Sequence, residues 1–542
     1  MSLKTLLLRN LIRNSKITNF APIVIQRQSY YNNNERHYWS SSRNTAVALI
    51  ASASVLIGTA AKDRENVNKK GDVEAGEKRS DLPTFTAEEV SKHDSKKSFW
   101  VIYKHGVYDV TSFLPSHPGG EQIFNAGGLS VEPFWNVYGM HKTKEIFELL
   151  ESYRIGNLRD EDVVDHTDDE FWAKEPYRDK RLIVKTAKPF NAEIPPKLQV
   201  EHFNTPNELF YVRQHMPVPD INENDHKLTV TIVGKTTKVK EFTLEDLKKF
   251  KPVEINAALM CAGNRRSEMN KVKPVKGLSW STGAISNAAW RGVLLRDVLL
   301  HCGLDDDDVD GKHVILTGAD TDATGAQFST SLPLRDALRS VLLATHMNGA
   351  PLPPDHGRPL RAVAPGAPAV RSVKWLQSIT ISTEESSSHW HQKDYRSFNP
   401  STTWETADFS TAPPVYSLPV TSAICDPEDG ETVTVKDGHI EVRGYAYSGG
   451  GARVVRVDVS ADGGASWREA RLRQHAAPPA RHYAWTLWSA RLPLAHAPSQ
   501  VEIWVKATDS NFNTQPEKFD DIWNIRGILS NAYHKIKVNL KY

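Results

Sequence analysis

Cys261 stands in the run Ala257-Ala-Leu-Met-Cys-Ala-Gly-Asn-Arg-Arg-Ser-Glu-Met269, with Arg265 and Arg266 close behind it. A thiolate is a nucleophile and a soft metal ligand, and guanidinium groups are planar, permanently charged forks that bind oxyanions and favour the ionised thiol. The run therefore joins thiolate chemistry to anion binding. Two other segments carry donors of the same kind. Asn207-Glu-Leu-Phe-Tyr-Val-Arg-Gln-His-Met-Pro-Val-Pro219 sets Arg213 and His215 before a proline-stiffened turn, and Asp355-His-Gly-Arg-Pro-Leu-Arg361 supplies His356, Arg358 and Arg361.

A separate pair of histidines suggests a second kind of centre. His117 lies in Phe113-Leu-Pro-Ser-His-Pro-Gly-Gly120, a turn stiffened by Pro118 and its glycines, and His141 precedes a helix expected from Thr143 to Leu150. Around them lie Phe113, Leu114, Ile123, Phe124, Leu129, Val137, Phe147 and Leu150. Two imidazoles facing each other across an apolar pocket are what a six-coordinate haem iron requires. A centre with both axial positions filled passes single electrons and leaves substrate chemistry to another site.

The elements that must hold these groups are legible in outline. Thr86 with Glu89 three residues on forms a capping-box pattern that opens a short helix, and Phe99–Val110 reads as two β segments joined by a turn at His105-Gly106. The acidic stretch over 161–175 is expected to be a hinge. Over 176–408, strand-like runs at Lys227–Gly234, Val314–Gly318 and Trp375–Ser382 alternate with short helical segments at 243–250 and 294–301, a mixed α+β pattern. No glycine-rich dinucleotide fingerprint and no phosphate loop ending in Gly-Lys-Ser/Thr occurs there, so nicotinamide or nucleotide chemistry has no motif. Over 409–542, short strands at Thr432–Val435, Ile440–Tyr447, Val454–Ser460, Ala484–Trp488 and Val501–Ala507, with a hairpin at Asp462-Gly-Gly464, predict an immunoglobulin-like β-sandwich.

Bulk properties bound the rest. A chain of 542 residues is too long for one core and should divide into about three domains. A net charge of +2 gives no support for a nucleic-acid partner, and Cys261, Cys302 and Cys425 are too few and scattered for a disulfide framework or a zinc site. The first 34 residues are basic and carry no acidic residue, which is the composition of a mitochondrial transit peptide. The apolar stretch Ala46–Ala61 is short for a stable membrane span. Residues 1–61 are therefore expected to be a cleaved presequence directing the protein to the intermembrane space, with no stable span in the mature protein and 62–81 as charged linker; an apolar segment 46–61 retained as a single-span anchor is the competing reading.

Three sets of residues resemble known families. Leu82–Arg159, through His117-Pro-Gly-Gly120, Gly127-Gly128 and His141, is similar to cytochrome b5-type haem domains, which implies a haem b domain over 82–160. Cys261-Ala-Gly-Asn-Arg-Arg-Ser-Glu-Met269 resembles the molybdenum-ligand segment of the sulfite oxidases and assimilatory nitrate reductases. With Arg213, Tyr395 and Trp523-Asn-Ile-Arg-Gly-Ile-Leu-Ser-Asn531, the chain from Leu82 to Tyr542 follows the sulfite oxidase order of haem domain, α+β molybdopterin domain over 176–408 and dimerisation domain over 409–542. The resemblance implies a molybdenum centre bound by Cys261 and a pterin. Cys261, Arg213, Arg266, Tyr395, Arg526 and Trp280 are the implied catalytic residues, and Tyr211, Val212, Arg213, Gln214, His215, Asp320, His356, Arg361, Ser372, Val373 and Lys374 the implied cofactor contacts. The implied activity is oxidation of sulfite to sulfate in a homodimer, with electrons passing through the haem to cytochrome c.

Two other readings compete with this one. A nitrate-reductase-like molybdenum enzyme shares the cysteine run but resembles a chain with its haem domain after the molybdenum domain. A haem-tethered binding protein with a dead catalytic domain is the second. Its support is two departures from the family pattern, Gly366-Ala-Pro-Ala-Val370, where Pro368 lacks a backbone donor, and Arg358 at a usually apolar position.

Overall fold

The computed structural model describes residues 74–117, 120–137, 141–164, 174–234, 236–305, 309–322, 324–494 and 497–542. The presequence, residues 62–73 of the first linker and residues 165–173 of the expected hinge lie outside the described residues. Among the described residues no helix is long and apolar enough to cross a membrane.

The capping box forms as expected. Thr86 Oγ1 accepts from the Glu89 amide at 3.1 Å, and Glu89 accepts from the Thr86 amide at 2.7 Å, which starts the helix Ala87–Ser91. Beside it, five strands pair in the order Thr84–Phe85, Arg154–Leu158, Gly106–Asp109, Ser98–Tyr103 and Asp94–Ser95. Phe99, Val101, Tyr103, Tyr108 and Leu150 form the core of this module, and the helix Lys144–Glu151 covers it with Ile146 and Phe147. Residues 74–81, expected to be linker, are tied down instead. The buried Asn157 side chain accepts from the Arg79 amide at 2.9 Å and donates to the Arg79 and Leu82 carbonyls, while the Gly76 amide donates to Glu151 at 3.0 Å. A composition argument misses such a strap, because its hold is hydrogen bonding between side chain and backbone, with only the small Ala75 buried in the core.

Two sheets dominate the middle of the chain, the first mixed through the parallel pairing of Leu376–Ser382 with Lys227–Ile232 and the second antiparallel throughout. One runs Lys238–Thr243, Lys227–Ile232, Leu376–Ser382, His313–Thr321 and Gln327–Pro333, and the other Pro252–Met260, Ile285–Leu294, Leu342–Met347 and Ala350–Pro351. Pro252–Met260 pairs antiparallel with Ile285–Leu294 from Pro252↔Val293 to Met260↔Ile285, so the pair ends where the Cys261 turn begins. The sequence pattern does not announce these two strands. Ala257-Ala-Leu-Met260 is buried on both faces and so lacks the apolar-polar alternation that marks a half-exposed strand.

The last domain is a sandwich of two sheets. One orders Thr421–Asp426, His439–Tyr447, Thr486–Pro493 and Arg471–Arg473, and the other Thr432–Thr434, His534–Lys541, Gln500–Asp509, Val454–Ser460 and Arg468–Glu469. Val442, Val457, Val459, Trp488, Ile503, Val505 and Val538 fill the space between them.

Arg265 joins this sandwich to the cysteine turn. It is fully buried, adopts the left-handed backbone conformation at φ 64°, and pairs with Glu268 at 2.7 Å. Its remaining donors reach the carbonyls of Ser422 at 3.1 Å and Ala532 at 2.7 Å, both in the last domain. Removing a buried charge from such a set takes the short ion pair from Glu268 and a donor from the carbonyls of Ser422, Ala532 and Tyr533. Arg265→Leu should therefore lower the unfolding free energy by about 3–5 kcal/mol. Calorimetry and urea titration with the haem spectrum monitored in parallel test this, and a loss below about 1 kcal/mol would contradict the role.

Candidate active site

Beyond Met260 the chain turns sharply through small residues. The Cys261 amide donates to Ala284 O at 2.9 Å and the Asn264 amide to Cys261 O at 3.0 Å, which leaves the buried thiol facing a cavity. The helix Arg266–Val272 follows. The Arg266 guanidinium is caged by backbone, donating to Gly527 O and Leu278 O, each at 2.8 Å. A Cβ at Gly263, Gly277 or Gly527 would come within 2.5, 2.7 and 2.5 Å of its nearest neighbours, which in each case include atoms of Arg266 within 2.9 Å. Glycine at these three positions is therefore required by close approach.

The cavity is lined by Phe210, Tyr211, Arg213, Gln214, His215, Cys261, Ala262, Asp320, Phe328, Asp355, His356, Arg361, Ala369, Val370, Ser372, Val373, Lys374, Trp375 and Tyr395. At one end Arg213, at the end of the strand Val212–Arg213, donates to Asn191 Oδ1 at 3.2 Å and to Gln214 O. His215 Nε2 shares a hydrogen bond with Tyr395 Oη at 3.1 Å, and the imidazole stacks on Phe328 with centroids 5.0 Å apart. Burial pushes His215 well below the ordinary histidine range and the Tyr395 phenol up to about 12, so both rings are neutral near pH 7. Arg526 reaches this end from the last domain, pairing with Asp394 at 2.7 Å and donating to the Asp394 carbonyl at 3.2 Å.

The other end gathers buried positive charge. Arg361 donates to His356 O at 3.2 Å and leaves its Nε without a partner, while Lys374 Nζ donates to Asp355 O at 2.9 Å. Among the described residues neither cation has a carboxylate within ion-pair distance, since Asp355 is taken by Arg178 at 2.8 Å and by Gln214 at 2.6 Å. Burial lowers Arg361 to about 10 and, with Arg361 adding to it, Lys374 to about 7; burial also raises Asp320 to about 7 and leaves its Oδ1 unpartnered. His356 is pushed down to about 3 by burial and meets Asn207 O at 3.2 Å. Unpaired buried cations are costly, and an anionic group seated among them removes the cost. These residues fit a phosphate-bearing pterin.

Most of the expected contacts thus lie around one cavity, but not all. Val212 packs with Leu182, Phe190 and Ala192, and Trp280 is fully buried among Tyr211, Cys261 and Trp290, so neither side chain forms the cavity wall. Arg266 and Arg526 sit beside the wall rather than in it. Phe210, Phe328, Asp355, Ala369 and Val370 escape sequence reasoning because ordinary apolar and carboxylate residues carry no motif. Trp375, which follows the Ser372-Val-Lys374 contacts and opens a strand-like run, lines the cavity and donates to Pro354 O at 2.9 Å. The departure at Arg358 ends on the surface in an ion pair with Glu223, and Pro368 opens the short turn Ala369–Arg371.

In the first module, His117 and His141 stack with ring centroids 6.3 Å apart and planes 11° from parallel. Two metal–imidazole bonds of about 2 Å, with each nitrogen about 1 Å from its ring centre, require about that separation. His117 Nδ1 meets Gly120 O at 3.1 Å, which assigns the proton to Nδ1 and turns Nε2 toward the gap. Phe113 and Trp135 lie against the two rings at 5.8 and 5.5 Å. The pair fits a bis-imidazole haem.

Comparison with known proteins agrees with this geometry. Residues 86–159 match the cytochrome b5-like heme/steroid binding domain, 215–390 the oxidoreductase molybdopterin binding domain, and 412–541 the Mo-co oxidoreductase dimerisation domain. The chain is 51% identical over 474 residues to the mitochondrial sulfite oxidase of Drosophila melanogaster, covering 85% of this chain and 82% of the relative. It is 46% identical over 460 residues to sulfite oxidase of Gallus gallus, covering 84% and 99%. The solved sulfane dehydrogenase SoxCD of Paracoccus pantotrophus shares the fold over 70% of this chain and 93% of its own, with a TM-score of 0.55 at 23% identity. The chain belongs to the sulfite oxidase family.

Proposed function

We propose that this chain oxidises sulfite to sulfate at a molybdenum–pterin centre and releases the electrons one at a time through a b-type haem. The supporting observation is convergence, for segments near residues 213, 261, 361, 374 and 395 bring one thiol, cations without a carboxylate partner and a neutral phenol to one cavity, with Arg526 beside it. When bound, the molybdenum cofactor supplies the two-electron oxidation in which sulfite and water give sulfate and two protons. Cys261 is its protein ligand, since a buried thiolate suits a soft metal. Arg361, Lys374 and His356 hold the pterin phosphate, and Tyr211, Gln214, Asp320, Ser372 and Val373 line its bed.

At the substrate end, Arg213 and Arg266 bind the sulfite oxygens by charge-assisted hydrogen bonds, which orients the sulfur lone pair toward the cysteine side of the cavity. Arg526, fixed by Asp394, adds positive charge behind them. Tyr395, kept protonated by burial and oriented by His215, donates a hydrogen bond to an oxygen of substrate or product. His117 and His141 would hold the haem, which would supply single-electron transfer.

The carrier that accepts these electrons is cytochrome c, and the compartment is the mitochondrial intermembrane space. The basic leader and the mitochondrial names of relatives support that placement. Acidic residues Glu88, Glu89, Glu145 and Glu148 on the haem module suit a basic carrier. A homodimer through the last domain follows from its match to a dimerisation domain. The haem module precedes the molybdopterin domain, opposite to the order expected of the nitrate-reductase reading.

Two results are expected. Cys261→Ser should keep the haem spectrum of the wild type while sulfite-dependent cytochrome c reduction falls to background; retained turnover in a protein assayed for molybdenum would remove Cys261 as ligand. In Tyr395→Phe, kcat/KM for sulfite should fall by about tenfold or more, the value of one hydrogen bond to a charged group. Because Tyr395 ionises only near pH 12, any alkaline limb in the wild-type rate profile below about pH 10 should persist in that variant. Disappearance of the limb would mean that the phenol ionises within the working range.

A further inference from the structure

A buried polar network lies behind Tyr395, on the side away from the cavity, and the function proposed above gives it no task. His391 is completely buried and is the second residue of the π-helical turn Trp390–Asp394, a winding found mostly as single turns at functional sites. The two faces of this turn differ. Trp390 packs toward the cavity wall, with centroids 5.2 Å from Phe328 and 6.2 Å from His215, while Asp394 holds Arg526 and Tyr395 follows directly. His391 points the other way, into the catalytic domain.

Its Nδ1 lies 2.7 Å from Arg371 Nη1 and 3.3 Å from Thr330 Oγ1 and the Ser331 amide; its Nε2 lies 3.3 Å from Glu385 Oε2 and from Ser331 Oγ. Arg371 is fully buried, and its Nε and Nη2 donate to Val415 O at 3.1 and 2.9 Å. The Val415 amide in turn donates to Tyr395 O at 3.0 Å. Arg396 donates to Glu385 Oε2 at 2.8 Å and to His391 O at 3.2 Å, and Tyr416 donates to Glu385 Oε1 at 3.1 Å with its ring 6.3 Å from the imidazole. Arg371, Arg396, Glu385 and Tyr416 are the charged and titratable groups that face His391 from the elements packed on it.

Donor chemistry assigns the tautomer. A guanidinium has no acceptor, so Nδ1 must accept from Arg371, and the ring proton sits on Nε2, directed at the Glu385 carboxylate. Protonating Nδ1 would oppose one N–H to another at 2.7 Å beside two buried guanidinium groups. The site therefore accommodates the neutral ring alone.

We propose that His391 is a positioning residue for the catalytic tyrosine: as a neutral acceptor from Arg371 it fixes the turn that carries Asp394 and Tyr395, and protonation releases that turn. Through Asp394 the same tie holds Arg526 at the substrate end. Burial, followed by the Arg371 charge, keeps the imidazole neutral in the fold until the pH falls toward about 4. The kinetic part of this inference rests on the sulfite reading, and the structural part does not.

The full-length holoenzyme and its His391→Asn and His391→Leu variants test it. Asparagine keeps an acceptor near Nδ1, whereas leucine fills the space without one. In anaerobic rapid mixing, His391→Leu should raise the half-saturating sulfite concentration about tenfold, with a smaller change in the limiting rate of haem reduction, and His391→Asn should stay within about twofold of wild type. Amide hydrogen exchange over 390–396 at neutral pH, without sulfite, should be about tenfold faster in His391→Leu and unchanged in His391→Asn. Equal impairment of both variants, or wild-type behaviour of His391→Leu, would overturn the proposal. If sulfite fails to reduce the wild-type haem, the oxidase reading fails, and the exchange measurement still decides the role of His391. Should His391→Leu not fold, the acid side decides. Wild-type half-saturation should rise as the pH falls from about 5 through about 4 while that of His391→Asn stays flat; parallel profiles would overturn the proposal.

Discussion

Positive charge buried without a protein counterion is the constraint on which the rest of this molecule depends. Arg266 and Arg361 are buried and Lys374 is half-buried, and among the described residues none of them has a carboxylate in ion-pair range. Such charges stay in a folded core only when an anion or a set of carbonyl dipoles receives them. Arg266 has the carbonyls of Leu278 and Gly527, and the Gly527 carbonyl belongs to the last domain. Arg361 and Lys374 have one backbone carbonyl each, and their remaining donors are open toward the cavity. The catalytic domain is incomplete on both counts. It needs the β-sandwich to cage one arginine, and it needs an anionic ligand to compensate the other cations.

The two neighbouring arginines of the cysteine turn show how one local run serves two tasks. Arg265, left-handed at φ 64°, turns into the sandwich and pairs with Glu268, whereas Arg266, one residue on, turns back beneath the thiol. A single change of backbone hand thus sends successive identical side chains to opposite ends of the local structure. One carries the joint between domains and the other joins the site.

Much of this is legible in the amino-acid sequence. The His117 and His141 turns and the cysteine run stand out because their residue types are unusual at those spacings, the arginines at 213 and 526 stand out only through the family resemblance, and the C-terminal strands stand out because Val, Ile and Trp alternate with charged residues. What is not legible has a common cause. Pro252–Met260 and Ile285–Leu294, which carry the thiol, are buried on both faces near the site and lose the period of two. Residues 74–81 are held by the Asn157 amide, the Gly76 amide on Glu151 and one small buried side chain, Ala75. The π-helical turn before Tyr395 depends on His391 meeting Arg371 and Glu385, partners 20 and 6 residues away in the chain that no local pattern pairs.

The haem module and the catalytic cavity make sense together only if a two-electron oxidation must be emptied in single-electron steps. Anaerobic rapid mixing of molybdenum-loaded protein with sulfite, followed at the haem band without any added acceptor, tests that claim most directly. Reduction of the haem within the dead time or in a phase that saturates with sulfite is the predicted result. A haem that stays oxidised in protein shown to carry molybdenum would contradict it.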